Sequence, residues 1–215
     1  MSDRILPDDT FDRMLVTSAF SLAGIKGWRS LSIAEAASEA DLPLGRVRER
    51  FPSRTAVLTR FGRLADQAAL AEAPTEGTVR DRLFDLVMRR IDFHQLHRSG
   101  VLAVFQALPA EPQTAVLLKC ASRRSMAWML DAAGVSTGGI TGQLRVVGML
   151  GVWLWTIRAW QKDEGVDLAA TMSALDKALA QADGLAALLD RAGPSKPVDA
   201  SGPLVETPVM PESPD

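Results

Sequence analysis

The chain has 215 residues, of which 47% are apolar and 23% charged, so it is long enough to form a substantial core. Its net charge of −2 argues against a general nucleic-acid coat protein, and the single cysteine, Cys120, excludes an internal disulfide. The start of the chain is too acidic and polar for a signal peptide, and the longest apolar run, 146–157, is too short to span a bilayer. We therefore expect a soluble, cytoplasmic protein.

The first predicted helix covers 9–25. Thr10 is placed to cap its start, and Gly27 ends it. Its apolar residues recur at helical spacing and share one face: Phe11, Leu15, Ala19 and Leu22. We expect this face to pack against the helices that follow.

Two short helices joined by a tight turn come next. Ser32 and Glu35 predict a capping box at the start of the first helix. The turn is Asp41-Leu42-Pro43, and the second helix turns Val47 and Phe51, four residues apart, toward a small core. A longer helix capped by Ser53 then runs to residue 70. This pattern predicts a helix-turn-helix, whose second helix can enter the major groove of DNA.

Positive charge is concentrated on and after that second short helix. Residues 44–63 contain six arginines and one acidic residue, whereas residues 1–70 as a whole hold ten basic and nine acidic residues. A local patch of this kind suits contact with phosphates, because each neutralised phosphate releases condensed counterion. The alternative is that the patch is only a solvated basic helix face.

A larger helical body follows a linker at 73–77. Its predicted helices lie near 78–98, 100–108, 111–133, 140–164 and 167–190, with helix start and stop signals at Thr78, Asp81, Pro112, Gly134, Gly165 and Asp167. No strand pattern is present, so we expect an all-α fold. Six prolines among residues 193–215 predict a disordered tail. The predicted domains are thus 1–70, 71–192 and the tail.

The first part of the chain resembles the DNA-binding head of the tetracycline-repressor (TetR) family. The matching residues cover roughly 10–65, about a quarter of the chain, without a gap: Leu22-Ala23 before Gly27, then Ala36-Ala37-x-x-Ala40-Asp41-Leu42, Gly45, Arg50-Phe51, Arg54 and Val57-Leu58. The resemblance implies a TetR-like fold, with a three-helix head on a larger body that binds a ligand and dimerises.

The resemblance also implies the DNA contacts. Arg46, Arg48 and Arg50 would lie in the groove, Leu44 and Gly45 would allow close approach, and Arg54 would hold a phosphate; Ser32 completes the predicted set. The family usually has Gly, Ser, Lys, Tyr and His at the positions occupied here by Asp41, Pro43, Leu44, Arg48 and Arg50. The two arginines add charge that can replace the missing lysine, and arginine can read guanine through two hydrogen bonds.

The C-terminal part is similar to the ubiquinone-biosynthesis accessory proteins, which use a TetR-like fold to carry lipid. The similarity rests on the segment 79–101 and on the spacing of Trp160, Asp167, Thr171-Met172, Leu175 and Asp176. It implies a second hypothesis, in which the head is vestigial and the protein serves a quinone-synthesis or membrane partner.

Large, adaptable apolar side chains in the body are candidates for lining a pocket for a small apolar or lipid-like effector: Met88, Phe93, Phe105, Met126, Trp128 and Met129. The alternative is that they form ordinary core. His94 and His97 lie beside Asp92, but the chain has no further histidine and Cys120 is distant. We therefore predict no metal site, and expect both histidines near a helix end at Gly100.

Apolar stripes on the last two predicted helices favour a homodimer, because one small body does not need both of them. The predicted interface residues are Met149, Trp153, Ile157, Trp160, Met172, Leu175 and Leu179. In TetR-like proteins these two helices pair with their copies across a two-fold axis. Trp155 and Arg158 lie off the stripe and are candidates for a membrane or partner contact, or for interface packing.

The sequence shows no nucleophile beside a base, no glycine-rich phosphate loop and no recognisable pair of catalytic carboxylates. We predict no enzyme, catalytic residue or cofactor. The favoured hypothesis is a dimeric regulator that binds double-stranded DNA and responds to a small apolar effector.

Overall fold

The computed structural model describes residues 6–192, with side chains to residue 184. Within this range the chain is helical and contains no strand, which confirms the all-α prediction. The helices are α1 (Asp8–Lys26), α2 (Ile33–Glu39), α3 (Leu44–Arg50), α4 (Arg54–Leu70), α5 (Val79–Leu96), α6 (Arg98–Ala107), α7 (Pro112–Ala132), α8 (Gly139–Lys162) and α9 (Ala169–Ala192). The predicted tail, 193–215, lies outside the described residues.

Each helix start lies within two residues of its predicted position, but the caps predicted for the first two helices differ in detail. Pro7, not Thr10, precedes the first turn of α1. At α2 the Ser32 side chain accepts the Glu35 backbone N–H at 3.3 Å, but the Glu35 carboxylate pairs with Lys26 instead of returning to the cap. The capping box predicted there is therefore only half formed. A lysine at the end of α1 competes successfully for the carboxylate.

Helices α1 to α4 form the head, and the apolar face of α1 supplies most of its centre. Phe11, Leu15 and Phe20 are at most 1% exposed. Phe20 stacks on Phe61 of α4 with ring centroids 4.0 Å apart. Trp28 follows α1 in a single 3-10 turn and is 2% exposed. The predicted core face of the first helix is confirmed.

Helix α1 also joins the head to the body, because it packs closely against α6. A Cβ added to Gly100 would lie 2.3 Å from the Phe20 carbonyl oxygen, and one added to Gly24 would lie 2.4 Å from Ser99 Oγ. Only residues without a Cβ permit this approach. The buried side chains of head and body form one continuous core, so displacement of α6 would reach α1 directly.

Helix α8 packs against α7 and α9. By length and composition it is the one helix in the described range that could cross a bilayer, with a mean hydropathy of 1.2 over its most apolar window. However, 44% of that window is buried inside the protein. Since a core helix of a soluble domain has the same length and composition, these features fit a core helix with one exposed apolar side.

Candidate nucleic-acid interface and ligand cavity

The turn between α2 and α3 has the compact geometry of a helix-turn-helix. Asp41 adopts φ 51°, and the Leu42 N–H donates to the Ala37 carbonyl at 2.9 Å. Pro43 then precedes α3 with φ −63°. Asp tolerates the left-handed region better than most residues with a side chain. Aspartate at this position is therefore compatible with the turn.

Helix α3 buries one side and exposes the residues expected to face DNA. Val47 and Phe51 are 2% and 4% exposed, as predicted for its inner face. Leu44, Gly45 and Arg48 are exposed. Arg48 Nη1 donates to the Pro52 carbonyl at 3.1 Å, which keeps the side chain beside its own helix end.

Arg46 and Arg50, by contrast, bind α1. Arg50 donates to both carboxylate oxygens of Asp12, at 2.8 and 2.9 Å, and pairs with Asp8 at 2.8 Å. Arg46 Nη2 lies 2.6 Å from Asp8 Oδ1, and its guanidinium stacks 4.2 Å above the Phe11 ring. These contacts hold α3 in one orientation across α1. Both side chains are thus placed to position α3 more than to reach base edges.

The same acidic surface of α1 holds a further arginine. Asp12, whose side chain is 5% exposed, also pairs with Arg60 Nε at 2.8 Å, and Arg60 reaches Asp9 at 2.9 Å. The hydrogen bond from Arg46 lowers the pKa of Asp8, and the one from Arg13 lowers the pKa of Asp9. We call these three carboxylates and the four arginines that pair with them the α1 clamp: Asp8, Asp9, Asp12, Arg13, Arg46, Arg50 and Arg60.

Sequence reasoning missed the α1 clamp, although one signal was present. Asp12 lies between Phe11 and Leu15 on the apolar side of a predicted helix, and a carboxylate buried there requires a cationic partner. The clamp neutralises three of the six arginines between residues 44 and 63: Arg46, Arg50 and Arg60. The basic patch counted from sequence is therefore much weaker at the surface.

The two remaining predicted contact residues, Arg54 and Ser32, have hydrogen-bond partners within the protein. Arg54 Nη1 donates to the Trp28 carbonyl at 2.8 Å, and Nη2 lies 3.6 Å from Glu111 just before α7. Ser32 is exposed and caps α2. Arg54 thus ties the head to the body, while Leu44, Gly45, Arg48 and Ser32 remain accessible for DNA.

Comparison with known proteins identifies the architecture. No protein-family model and no curated protein sequence matches the chain. Among solved structures, a TetR transcriptional regulator from Nitrosomonas europaea has a TM-score of 0.68 at 19% identity, over 82% of this chain and 99% of that one. A TetR-family regulator from Streptomyces coelicolor scores 0.61 at 21% identity, over 87% and 86% of the two chains. The fold is TetR-like.

A third structure agrees, a TetR transcriptional regulator from Rhodococcus sp. RHA1, with a TM-score of 0.54 at 16% identity over 82% of this chain and 97% of that one. These likenesses confirm the predicted TetR-like fold. None of the three is described as a quinone-synthesis protein, so the second resemblance stays a prediction.

The TetR-like body contains two cavities that meet between α4, α5 and α7. The narrower one, about 260 Å³, is also lined by α6 and α8; the wider one, about 660 Å³, opens along α4 and α7. Phe105 lines the narrower and Trp128 the wider, where Trp128 is 62% exposed.

The other predicted pocket residues do not line either cavity. Met126 and Met129 are fully buried in the core, and Met88 and Phe93 are half-buried. Phe93 packs against Phe61 at 5.3 Å between ring centroids. The reason is the direction in which each side chain leaves the helix: Met126 and Met129 share the inner face of α7, while Trp128 lies on another face. The structure does not bring the predicted six residues together around one space.

The predicted dimer interface requires a correction. Met149, Trp153, Ile157, Trp160, Leu175 and Leu179 are each at most 4% exposed within a single subunit, and Met172 is half-buried. The six buried side chains belong to the subunit's own core. Helix α8 has a second apolar side, which is exposed and recurs at intervals of four and three residues: Ile140, Leu144, Val147, Gly151 and Leu154. We call this set the α8 stripe; Trp155, 61% exposed, flanks it.

His94 does not lie at an exposed helix end. It is 6% exposed, and its Nδ1 lies 2.7 Å from the Arg90 carbonyl. Its ring makes edge contacts with Phe61 and Trp153 at 5.2 and 5.4 Å. Burial, reinforced by the nearby charge of Arg90, lowers the pKa of His94 to about 3. His97 is half-buried, and burial lowers its pKa as well.

This burial makes stability depend on pH. Between pH 6.5 and about 3 the unfolded chain binds a proton at His94 that the folded chain excludes, so stability falls as pH falls. We expect this residue to account for about 2 kcal/mol of lost unfolding free energy between pH 7 and pH 5, at about 1.4 kcal/mol per pH unit. Urea titrations of wild type, His94→Gln and His97→Gln would measure it, and the half-buried His97 should contribute less to the pH slope than His94. A His94→Gln variant with the wild-type pH slope would contradict the prediction.

Proposed function

We propose that the protein is a dimeric, cytoplasmic transcriptional regulator, not an enzyme, that binds operator DNA and responds to a small apolar effector. The observation that carries this proposal is the exposed side of α3, held on α1 by ion pairs within a TetR-like fold. The similar structures from Nitrosomonas, Streptomyces and Rhodococcus, all described as transcriptional regulators, support it.

In this proposal the residues of α3 have different roles: some contact DNA and others position the helix. Arg48 reads a base, since a guanidinium can donate two hydrogen bonds to guanine. Leu44, 58% exposed, contacts a thymine methyl group, and Gly45 lets the helix approach the groove closely. Arg46 and Arg50 act through the α1 clamp, which sets the angle at which α3 enters the groove.

Dimerisation would supply a second head, which could bind a second half-site on the DNA. The α8 stripe offers a long apolar face, and a two-fold axis through it would bring two copies of the same surface together. Two heads at a set separation then require an operator with two-fold symmetric half-sites.

The cavities supply a route from effector to DNA. Val101, Val104 and Phe105 of α6 line the narrower cavity, and α6 packs against α1 through Gly100. A ligand that displaces α6 would therefore shift α1 and the head mounted on it. This coupling needs differential binding of the effector to the two head positions.

Selection from a library of random DNA duplexes tests the proposal, because it does not require the operator sequence to be known in advance. We expect enrichment of an inverted repeat, bound at least about a hundredfold more tightly than scrambled DNA in fluorescence anisotropy at two salt concentrations. Sequence-blind, salt-sensitive binding would overturn it.

The role of Arg48 gives a sharper prediction. Arg48→Ala should weaken binding to the selected sequence by roughly 5- to 150-fold, corresponding to about 1–3 kcal/mol for one bidentate base contact. Stability should be unchanged, because Arg48 is exposed and its hydrogen bond to Pro52 is local. Arg123→Ala, which removes the same charge from an exposed position on α7, is the matched control. Equal losses in the two variants would contradict direct readout by Arg48.

The second candidate function is lipid carriage by an accessory protein of quinone synthesis with a vestigial head. One observation favours it: Arg46, Arg50 and Arg54 are engaged within the protein, which leaves little free charge for DNA. A co-purifying isoprenoid lipid, together with sequence-blind DNA binding, would support this function over regulation.

A further inference from the structure

The junction of the two cavities combines apolar walls with polar groups. The cavities share five lining residues, of which Leu58, Gly62 and Leu118 are non-polar and Arg90 and Ser122 are polar. Together the two spaces fall within the size range of small-molecule sites in proteins. A ligand that spans both would pass directly over Arg90.

Arg90 is an unusual residue to find at this depth. It is 4% exposed, pairs with Asp66, and stacks 4.9 Å from the Trp153 ring. Its Nε is buried and has no hydrogen-bond partner among the residues that the structure describes. Both Asp66 oxygens are committed, one to Arg90 and the other to Ser125 Oγ at 2.8 Å. A buried donor without an acceptor is costly, so a ligand oxygen that reached the Arg90 guanidinium from the cavity would recover part of that cost.

The charged residues around the two cavities determine whether an anionic or a cationic ligand group is favoured there. Arg63, Arg90, Lys119 and Arg124 line the two cavities, whereas Asp66 is their one acidic residue. Arg63 and Arg124 are exposed and carry no ion pair within the described part of the chain. His94, at the same wall, remains neutral at physiological pH because burial lowers its pKa to about 3. The site therefore has a positive excess.

The narrower cavity is suited to an apolar tail. Its walls carry Phe20, Phe61, Val104, Phe105 and Leu108, and Trp153 lines it beside Arg90. A tail placed there would lie against α6, and a head group at the junction would face the wider, more open cavity along α7.

We infer that the effector is an amphiphilic carboxylate, its acid group bound by Arg90 and Ser122 at the junction and its alkyl tail in the narrower cavity. Guanidinium donors match carboxylate oxygens in geometry and charge, which is why a carboxylate is favoured over an alcohol. This inference rests on the proposed function only for its consequence, the release of DNA, since binding itself is measurable without DNA.

Calorimetric titration of the full-length, DNA-free protein tests the assignment. The probes are decanoate, decanol and decyltrimethylammonium, each below its aggregation concentration. We expect decanoate to bind at least about tenfold more tightly than decanol, as for a charge-assisted hydrogen bond, and the cation to bind most weakly. Equal affinities for decanoate and decanol, or absence of decanoate binding, would overturn the inference.

Variants locate the site. Arg90→Met combined with Asp66→Asn removes both charges of the buried pair together, which avoids leaving one uncompensated, and should abolish the preference for decanoate. Because that double variant could fail to fold, the exposed pair Arg63→Gln and Arg124→Gln provides an independent test. It should weaken decanoate roughly three- to tenfold through lost electrostatic attraction and leave decanol unchanged. Arg123→Gln, beside Arg124 but outside both cavities, is the matched control. Decanoate affinity unaffected by the exposed pair would count against the site.

The DNA experiment separates the two proposals. If decanoate binds as expected but no sequence-specific DNA is found, the carboxylate site stands and the regulator proposal fails. If operator DNA is bound but decanoate neither binds nor releases it, the reverse holds.

Discussion

Replacing Val147 with arginine should convert the proposed dimer into monomers and weaken binding to a two-half-site operator by about a hundredfold or more, because the second half-site then loses its tethered head. Val147 is 55% exposed and lies near the middle of the α8 stripe. In a two-fold interface the substitution would place two arginines against apolar surface and close to each other. Burying such unpaired charges costs several kcal/mol.

The measurement is multi-angle light scattering over a concentration series, followed by anisotropy with the selected operator. Val166→Arg is the matched control, since Val166 is fully exposed in the loop between α8 and α9 and lies outside the stripe. It should remain dimeric. Circular dichroism would verify that both variants are folded. A Val147→Arg protein that stays dimeric at wild-type affinity would exclude the α8 stripe as the interface.

Asp12→Ala should destabilise the head by about 2–3 kcal/mol, somewhat below the cost of breaking a fully buried ion pair because Arg50 is partly exposed. The change leaves Arg50 and Arg60 without their shared acceptor while both remain packed against α1. Since the α1 clamp sets the angle of α3, operator affinity should also fall under conditions where the protein is still folded. Loss of DNA binding would thus exceed the loss expected from unfolding alone.

Asp9→Ala is the control for this prediction. Asp9 lies in the same helix and binds two arginines, but its side chain is 54% exposed, so its removal should destabilise the head far less than the removal of Asp12. Urea titration gives the global free energy, and hydrogen exchange of the α1 to α3 amides reports on the head specifically. Equal effects of the two substitutions would show that the buried carboxylate of Asp12 contributes no more to the stability of the head than the exposed carboxylate of Asp9.

The positions of the helices followed from the sequence because they depend on neighbours a few residues apart. The Thr78–Asp81 capping box, the Ser53 cap and Pro112 at the start of α7 all act within one helical turn. The same is true of the turn at Asp41, whose left-handed backbone needs a residue that tolerates it. Local chemistry of this kind also identified α3 as the helix with an outer basic side.

Tertiary packing decided which of those basic and apolar groups are available. Arg50 and its partner Asp12 are 38 residues apart, so no local pattern shows that this arginine is engaged while Arg48 is free of the α1 clamp. Helix α8 has two apolar sides at helical spacing, and only its packing against α7 and α9 determines that Trp153 lies inside and Val147 outside. Periodicity by itself measures how apolar a helix face is, whereas burial depends on which distant helix covers that face.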